Sequence, residues 1–321
     1  MHAITEEVEN LLINTHPKLA ETENWRRMYV GEMVHPVCTA HRLLPAVVLF
    51  VLFIMILNPL ISSRTNKESD ERRKTQSEST TIIVVTPTHK RPERLADMIR
   101  LSQTLSHVSH LHWIVVEDGE TTVPAVSRIL QRSGVPHVYL ATTSSSGMPK
   151  RGWTHRNVAL QYVKENYERN RSAVLYFADD DNTYDVRLFN DYIRRVERIG
   201  VWAVGLVGGA WVEAPHVSSK GKVIAWDVMF APGRPFATDM AGFAINIREL
   251  FRARNASFNL NCAKTYKQGP ESCFLSQFGF RKEDLEPFGY KDYPKEILVW
   301  HTKTSKSKTR GPKRGYAIES S

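Results

Sequence analysis

Three consecutive aspartates, residues 179–181, directly follow the apolar run at residues 174–178. A buried strand that ends in this way presents its carboxylates together at the edge of a sheet. Like charges on adjacent residues repel one another, so a fold that keeps them together gains from a cation that offsets them. Oxygen ligands of this kind suit Mg²⁺ or Mn²⁺, which would in turn hold phosphate oxygens. A solvated acidic turn before a helix that begins near Asp185 is the alternative interpretation.

The chain from Thr80 onward alternates between strand-like and helix-like segments. Apolar runs of strand length occupy residues 81–86, 111–116, 137–141, 174–178 and 201–207. Residues 94–105 and 185–199 place their apolar side chains on one helical face. Five such alternations predict an α/β fold with a mostly parallel sheet and helices on both faces.

The ends of the predicted strands indicate a ligand-binding crevice. Pro87 and His89 follow the first strand and Asp118 follows the second, so they can meet the aspartates at one sheet edge. Neither a P-loop nor a Gly-x-Gly-x-x-Gly motif is present, so phosphate binding would depend on a metal ion and basic side chains. Arg151 and Arg156 are candidates, because guanidinium groups match phosphate oxygens bidentately. Surface arginines on an amphipathic helix are the alternative.

The N-terminal part predicts a membrane anchor. Residues 43–61 are uncharged and long enough for one span, between a tail at 1–42 and a flexible stem at 62–79. A buried core helix is the alternative, but the polar flanks offer it nothing to pack against. The tail holds four Lys or Arg against six Glu, and basic residues follow the span, so the positive-inside rule does not support a cytoplasmic N-terminus.

Cysteine number and charge exclude some classes of protein. The chain has three cysteines, too few for a disulfide-built scaffold; Cys262 and Cys273 could pair or remain buried thiols. Sequons at Asn170 and Asn255 are compatible with an oxidising lumen. The net charge is +9 at pH 7, with a basic flexible tail at 305–321. No recognisable nucleic-acid module accompanies this charge, so nucleic-acid binding is not expected.

Residues 208–304 differ in character from the half that precedes them. Their segments mix aromatic rings with single charges, a combination that suits sugar binding. Apolar CH faces of a sugar stack on rings, and its hydroxyls hydrogen-bond to carboxylates. Ordinary loops over a core would show a similar mixture.

Several long motifs, in order along the chain, closely resemble the animal β-1,3-glucuronyltransferases. They occupy residues 177–184, 204–209, 234–236, 239–244 and 300–304. The resemblance implies the GT-A nucleotide-sugar fold, with a nucleotide-sugar-binding half at 80–207 and an acceptor-binding and catalytic-base half at 208–304. It also implies a homodimeric, single-pass type II Golgi membrane protein with a cytoplasmic tail and a lumenal catalytic domain, which overrides the ambiguous charge flanks.

The activity implied by the resemblance is Mn²⁺-dependent transfer with inversion. Glucuronic acid would pass from UDP-glucuronic acid to the 3-hydroxyl of a terminal galactose on a proteoglycan linker or a glycoprotein glycan. A related transferase with another donor, such as UDP-xylose, is one alternative, because a metal motif recognises the diphosphate and not the sugar carboxylate. A catalytically silent Golgi partner that binds UDP or glycan is another.

The resemblance also assigns roles by motif position. Asp181 is similar to the direct metal ligand, with Asp180 near the ribose or the metal and Asp179 oriented toward the donor sugar. The implied donor-binding set is Pro87, His89, Asp118, Arg151, Arg156, Asp179, Asp180, Asp181, His301 and Lys303. The implied acceptor-binding set is Glu213, Arg234 and Asp239.

Glu271 corresponds to the catalytic base. Inversion at the anomeric carbon is a direct displacement, so one carboxylate must remove the proton of the attacking hydroxyl while UDP leaves from the opposite side. Two positions depart from the family pattern: His89 stands where many members have Tyr, and Lys303 where many have Arg. Imidazole can stack and an ammonium can neutralise phosphate, but Lys lacks the bidentate geometry of Arg.

Overall fold

A seven-stranded sheet and a smaller five-stranded sheet organise the computed structural model, which describes residues 80–149, 152–260, 269–302 and 304–305. The strands in chain order are β1 (Thr81–Thr88), β2 (Leu111–Asp118), β3 (His137–Thr142), β4 (Ala173–Phe177), β5 (Thr183–Tyr184), β6 (Ile199–Val201), β7 (Val204–Gly205), β8 (Val212–Val217), β9 (Val223–Asp227), β10 (Phe243–Asn246), β11 (Glu286–Pro287) and β12 (Val299–Trp300). The α-helices are α1 (Arg94–Leu105), α2 (Pro124–Ser133), α3 (Trp153–Asn166), α4 (Ile247–Arg252) and α5 (Gly269–Ser276).

The large sheet has the strand order β11-β6-β10-β4-β1-β2-β3. β4, β1, β2 and β3 pair in parallel, whereas β10 pairs antiparallel with both β4 and β6. The small sheet has the order β5-β12-β7-β8-β9 and brings the segment that follows β4 next to the C-terminal strand β12. The predicted α/β fold with a mostly parallel sheet is confirmed.

The central strands are apolar on both sides because helices cover both faces of the large sheet. On β1, Ile82 and Val84 enter one cluster with side chains of α1 and α2, while Ile83 and Val85 enter another with α3, α4 and α5. All four side chains are fully buried. A strand covered on both faces reads as a continuous apolar run and not as an alternating one. The predicted placement of helices on both faces is confirmed.

Two predicted elements are wrong. Residues 185–199 do not form one helix: a π-helical turn at Leu188–Tyr192 continues into a 3₁₀ turn at Ile193–Arg195, and β6 begins at Ile199. The irregular turns bury the guanidinium of Arg194, which donates to the carbonyls of Thr80 at 2.6 Å and Ser109 at 2.5 Å. These bonds tie the segment to the base of the sheet, and tertiary contacts of this kind override helical periodicity.

The predicted strand at 201–207 is two strands in two sheets. β6 pairs with β10 in the large sheet, and β7 pairs with β8 and β12 in the small one. Between them, the buried Trp202 donates from Nε1 to the carbonyl of Ala241 at 2.8 Å. The chain therefore passes from the large sheet to the small one at Trp202, whose indole is fixed by this bond. An apolar run in the sequence does not reveal such a change of sheet.

Several predictions concern residues that lie wholly or partly outside the described ranges. The predicted span at 43–61, with its flanking segments, lies outside the described residues, as do Arg151, Cys262 and Lys303. Across the described ranges, no helix is both long and apolar enough to cross a membrane. Cys273 is buried and disulfide-bonded. Both sequon asparagines, Asn170 and Asn255, are exposed.

Candidate active site

The three aspartates after β4 have different surroundings. Asp179 accepts a hydrogen bond from Nη2 of the buried Arg156. Asp180 is nearly buried and accepts from Thr88 Oγ1 at 2.7 Å. Arg91 also donates to both of its carboxylate oxygens, at 2.9 and 3.0 Å. The protein thus supplies an arginine to two of the three charges, and such bidentate pairing fixes carboxylate orientation.

Asp181 has the carboxylate best suited to a cation. Burial and the neighbouring charges of Asp180 and Asp179 raise its pKa to about 6. A bound cation would remove that repulsion and favour the ionised form. Within the described residues no three His, Cys, Asp or Glu side chains converge on one point. The Asp181 carboxylate is chemically suited to Mn²⁺ or Mg²⁺, which proteins usually hold at phosphate sites by one or two carboxylates together with substrate phosphate oxygens.

Asp118 lies at the carboxyl end of β2, on the same sheet edge as the aspartates. Its Oδ1 and Oδ2 accept from the backbone N–H and hydroxyl of Ser144, each at 3.2 Å. His155 Nε2 lies 3.4 Å from Asp118 Oδ1, and burial lowers the pKa of this imidazole. The carboxylate is thereby oriented at the rim, with about a quarter of its side chain exposed.

Gly152 allows α3 to begin close to Pro87 and Arg156. Its φ is 75°, in the left-handed region. A Cβ at this position would lie 2.7 Å from Arg156 Nη1 and 2.9 Å from Pro87 Cγ. Any larger residue would displace the arginine that binds Asp179. His89, on the same strand end as Pro87, is exposed.

A second group of charges lies beside the first. Glu213 on β8 is buried, burial raises its pKa, and its Oε1 has no hydrogen-bond partner among the described residues. Arg234 is fixed by the carbonyls of Phe230 and Ala231 at 3.1 and 3.2 Å. Its Nη1 lies 3.9 Å from Glu271 Oε2. A buried acceptor without a donor requires one from a ligand or water.

Glu271, in the first turn of α5, has the properties of a general base. Its side chain is 16% exposed, and burial, with the nearby charge of Asp239, raises its pKa to about 7. A pKa near the working pH is what proton transfer requires. A strongly perturbed carboxyl in a charged cleft is a candidate catalytic group.

Asp239 and His301 connect the two groups. Asp239 Oδ1 caps the 3₁₀ turn Met240–Gly242 by accepting from Ala241 N at 2.9 Å, and its Oδ2 lies 3.3 Å from His301 Nδ1. This carboxylate raises the pKa of His301. The imidazole is held in turn by its backbone N–H, which donates to the Gly205 carbonyl at 2.8 Å.

The structure brings most of the sequence-predicted site residues into two adjoining groups. The first holds Pro87, Asp118, Arg156, Asp179, Asp180, Asp181 and His301, and the second holds Glu213, Arg234, Asp239 and Glu271. Sequence reasoning missed Arg91 and His155. Both carried a signal, since Arg91 lies two residues after His89 and His155 directly precedes Arg156. The sequence position of a charged side chain does not reveal its partner.

The chain matches the sequence profile described as "Glycosyltransferase family 43" over residues 101–305. It is 39% identical over 237 residues to galactosylgalactosylxylosylprotein 3-beta-glucuronosyltransferase sqv-8 of Caenorhabditis elegans, an alignment covering 71% of this chain and 65% of that protein, just under two thirds. It is 42% identical over 238 residues to galactosylgalactosylxylosylprotein 3-beta-glucuronosyltransferase 1 of Homo sapiens, covering 70% of each chain. The human protein with the same name and the number 2 is 40% identical over 233 residues, again covering 70% of each.

Among solved structures, Staphylococcus aureus TarS 1-349 in complex with UDP-GlcNAc superposes with a TM-score of 0.45 at 13% identity, over 71% of this chain and 60% of that chain. Mannosyltransferase PcManGT from Pyrobaculum calidifontis, in complex with GDP-Man and Mn2+, gives a TM-score of 0.41 at 12% identity, over 73% and 58%.

Proposed function

Because the chain belongs to glycosyltransferase family 43, we propose that it transfers glucuronic acid from UDP-glucuronic acid to the 3-hydroxyl of a terminal galactose, with inversion. The observation that carries the proposal is the placement of Glu271, with its raised pKa, next to Arg234 and within electrostatic range of Arg156, the arginine that binds Asp179. The curated relatives named above are 3-beta-glucuronosyltransferases of galactosylgalactosylxylosyl protein, which supports a proteoglycan-linker acceptor. A glycoprotein glycan that ends in galactose offers the same reacting group.

The first group of residues is the proposed donor site. Asp118 is placed to accept hydrogen bonds from the base or the ribose, since it stands at a strand end where nucleotides bind. Arg156, oriented by Asp179, lies where it can meet the diphosphate or the sugar carboxylate. Asp181 would hold a divalent cation, proposed to be Mn²⁺. When bound, this ion neutralises charge on the departing UDP.

The second group is the proposed acceptor site. Glu213 Oε1 has no hydrogen-bond partner among the described residues, so it can accept a hydrogen bond from a sugar hydroxyl. Asp239 is a second carboxylate in this group. Phe230 is 58% exposed and stacks its ring against the Arg234 guanidinium at 5.1 Å from the ring centroid. An exposed ring beside hydrogen-bonding acids suits the apolar face of a sugar.

Glu271 would perform the proton transfer. The galactose hydroxyl attacks the anomeric carbon, its proton passes to a Glu271 carboxylate oxygen, and the bond from that carbon to UDP breaks on the opposite side. Arg234, 3.9 Å from Glu271 Oε2, helps to keep the carboxylate aimed. The Asp239–His301 pair holds His301 toward the donor side, where its positive charge would favour the diphosphate.

The proposal includes location and assembly. We place the protein in the Golgi membrane, as a single-pass type II protein whose span lies at 43–61 and whose catalytic domain faces the lumen. The uncharged segment in the sequence supports this. The exposed asparagines of both sequons could then accept glycans. A homodimer is proposed on family resemblance.

Activity is expected to rise as the pH increases through about 7. Glu271 must be ionised to accept a proton, and its pKa is raised to about 7, mainly by burial. Below that value kcat/KM should fall about tenfold per pH unit, and above it the profile should level off. The measurement is the pH profile of kcat/KM in the presence of Mn²⁺. A profile flat between about pH 5 and pH 8 would contradict the assignment of Glu271.

The donor and acceptor are tested together in one panel. Detergent-solubilised full-length protein with Mn²⁺ should release UDP from UDP-glucuronic acid when an acceptor ending in galactose is present. UDP-xylose and acceptors ending in N-acetylglucosamine serve as controls and should give background rates. Transfer from UDP-xylose would identify a different donor, and UDP binding without transfer to any galactose-ended acceptor would identify a silent binding partner.

A further inference from the structure

Asp97 is a fully buried carboxylate on α1. Its Oδ2 accepts from Arg91 Nη2 at 2.7 Å, and its Oδ1 accepts from Thr304 Oγ1 and Arg100 Nη2, each at 2.9 Å. The side chain is 1% exposed. A buried carboxylate with three charge-assisted or hydroxyl donors is held in one geometry. Loss of Arg91 or Thr304 leaves it undersolvated, whereas water can replace the half-exposed Arg100.

These bonds join two parts of the donor site that are far apart in sequence. Arg91 donates to Asp97 and also to both oxygens of Asp180, beside the proposed metal ligand. Thr304 ends the segment that contains His301. Asp97 therefore connects the aspartate strand end to the C-terminal segment through one buried carboxylate.

The residues that follow β12 make two further anchoring hydrogen bonds, from His301 and Thr302. The His301 N–H donates to the Gly205 carbonyl, and Thr302 Oγ1 donates to the Asp181 carbonyl at 2.5 Å. Both anchors lie before Lys303. The Thr304 hydroxyl supplies a third anchor for the residues after β12 through its bond to Asp97.

We propose that Asp97 is a positioning residue, which holds His301, Thr302 and Thr304 in place for the donor diphosphate by binding Thr304 and Arg91 together. This inference rests on the proposed function, because it presumes a nucleoside diphosphate in the crevice. A segment ordered before binding loses less conformational entropy when the ligand arrives. A segment freed at Thr304 must be ordered by the ligand itself, which lowers affinity.

The effect should be confined to ligands that carry the diphosphate. The proposed uridine-binding carboxylate, Asp118, lies at the end of β2 and shares no hydrogen bond with Asp97. Freeing Thr304 should therefore weaken UDP binding and leave uridine binding unchanged. A loss of general stability would instead weaken both ligands together.

The test uses full-length protein with Mn²⁺ and two ligands, UDP and uridine, whose dissociation constants are measured by titration. Thr304→Val removes the hydroxyl at nearly constant volume, and it should raise the UDP dissociation constant about tenfold while uridine stays within about twofold. Thr304→Ser restores a hydroxyl and should recover UDP affinity. Asp97→Asn should act in the same direction as Thr304→Val.

Arg100→Gln is the matched control, because it removes a half-exposed donor from the same Asp97 oxygen without touching either end of the connection. It should leave both affinities unchanged. As a second readout, hydrogen exchange of the amides at 301–304 in ligand-free protein should quicken in Thr304→Val and not in Arg100→Gln.

Three results would overturn the inference: unchanged UDP affinity in Thr304→Val, an equal loss of UDP and uridine affinity, or unchanged exchange at 301–304. Failure of the proposed function looks different. In that case wild-type protein would show no Mn²⁺-dependent UDP binding at all, and the inference would fall with it.

Discussion

Glu271→Gln is expected to lower kcat by about 10²- to 10⁴-fold while UDP binds as tightly as in wild-type protein. The amide has nearly the same shape as the carboxylate but cannot accept the proton of the attacking hydroxyl. Arg234 stays satisfied, because it also donates to the carbonyls of Phe230 and Ala231. Steady-state kinetics with a galactose-ended acceptor, together with a UDP titration, measure the two quantities separately.

The control for this variant is Glu283→Gln, which removes a carboxylate from an exposed 3₁₀ turn. Its kcat should equal that of wild type, which shows that the loss of a negative charge elsewhere has no effect. The Glu271→Gln variant should also lose the ascending limb of its pH profile near 7. Wild-type turnover in Glu271→Gln would remove this residue from the role of base.

Asp181→Asn is expected to abolish metal-dependent binding of UDP and, with it, turnover. The carboxylate is the proposed protein ligand of the cation, and the two aspartates that precede it are already engaged, Asp179 by Arg156 and Asp180 by Arg91. The UDP dissociation constant in Mn²⁺ should rise about 100-fold or more, since a metal bridge to phosphate contributes several kcal/mol. Calorimetric titration with Mn²⁺ and with excess chelator measures the difference.

Asp185→Asn is the matched control, since Asp185 lies four residues after Asp181 and its carboxylate pairs with Arg187 at the surface. It should retain metal-dependent binding. In Asp181→Asn the titrations with and without chelator should coincide, because no metal contribution remains. If Asp181→Asn binds UDP as tightly as wild type in Mn²⁺ and loses that affinity in chelator, the cation is held elsewhere.

The parallel core was predictable from sequence because each of its strands is a local apolar run. β1, β2, β3 and β4 lie within two residues of their predicted ends. β10 was not predicted, since its place between β4 and β6 depends on pairings with residues distant in sequence. The helix predicted at 185–199 failed for a similar reason: the bonds of Arg194 to Thr80 and Ser109 are invisible to a pattern with a period of 3.6 residues.

The sequence indicated which acidic residues belong to the candidate site, but it did not indicate which residues pair with them. The aspartates, Asp118 and Glu271 were singled out from strand ends and family motifs. The structure places Asp118 and the aspartates at or just after the ends of strands of one sheet and Glu271 within electrostatic range of Arg156, and the roles of these residues stay predictions. The pairing of Asp180 with Arg91 was not predicted. The two residues are 89 positions apart, and a single Arg in a charged loop has many possible neighbours. What a carboxylate binds depends on the tertiary fold.

β10 also bears on how the enzyme could have diversified. It follows the turn that carries Asp239, and it lies in the interior of the large sheet between two strands of the N-terminal half. Removing residues 208–304 would therefore expose the edge of β4 and the backbone groups that β10 satisfies there. Residues 208–304 therefore contribute a central strand to the same sheet as the strands that precede them. The hairpin β8–β9 and the loop after it can change in length without opening the large sheet, because neither belongs to it.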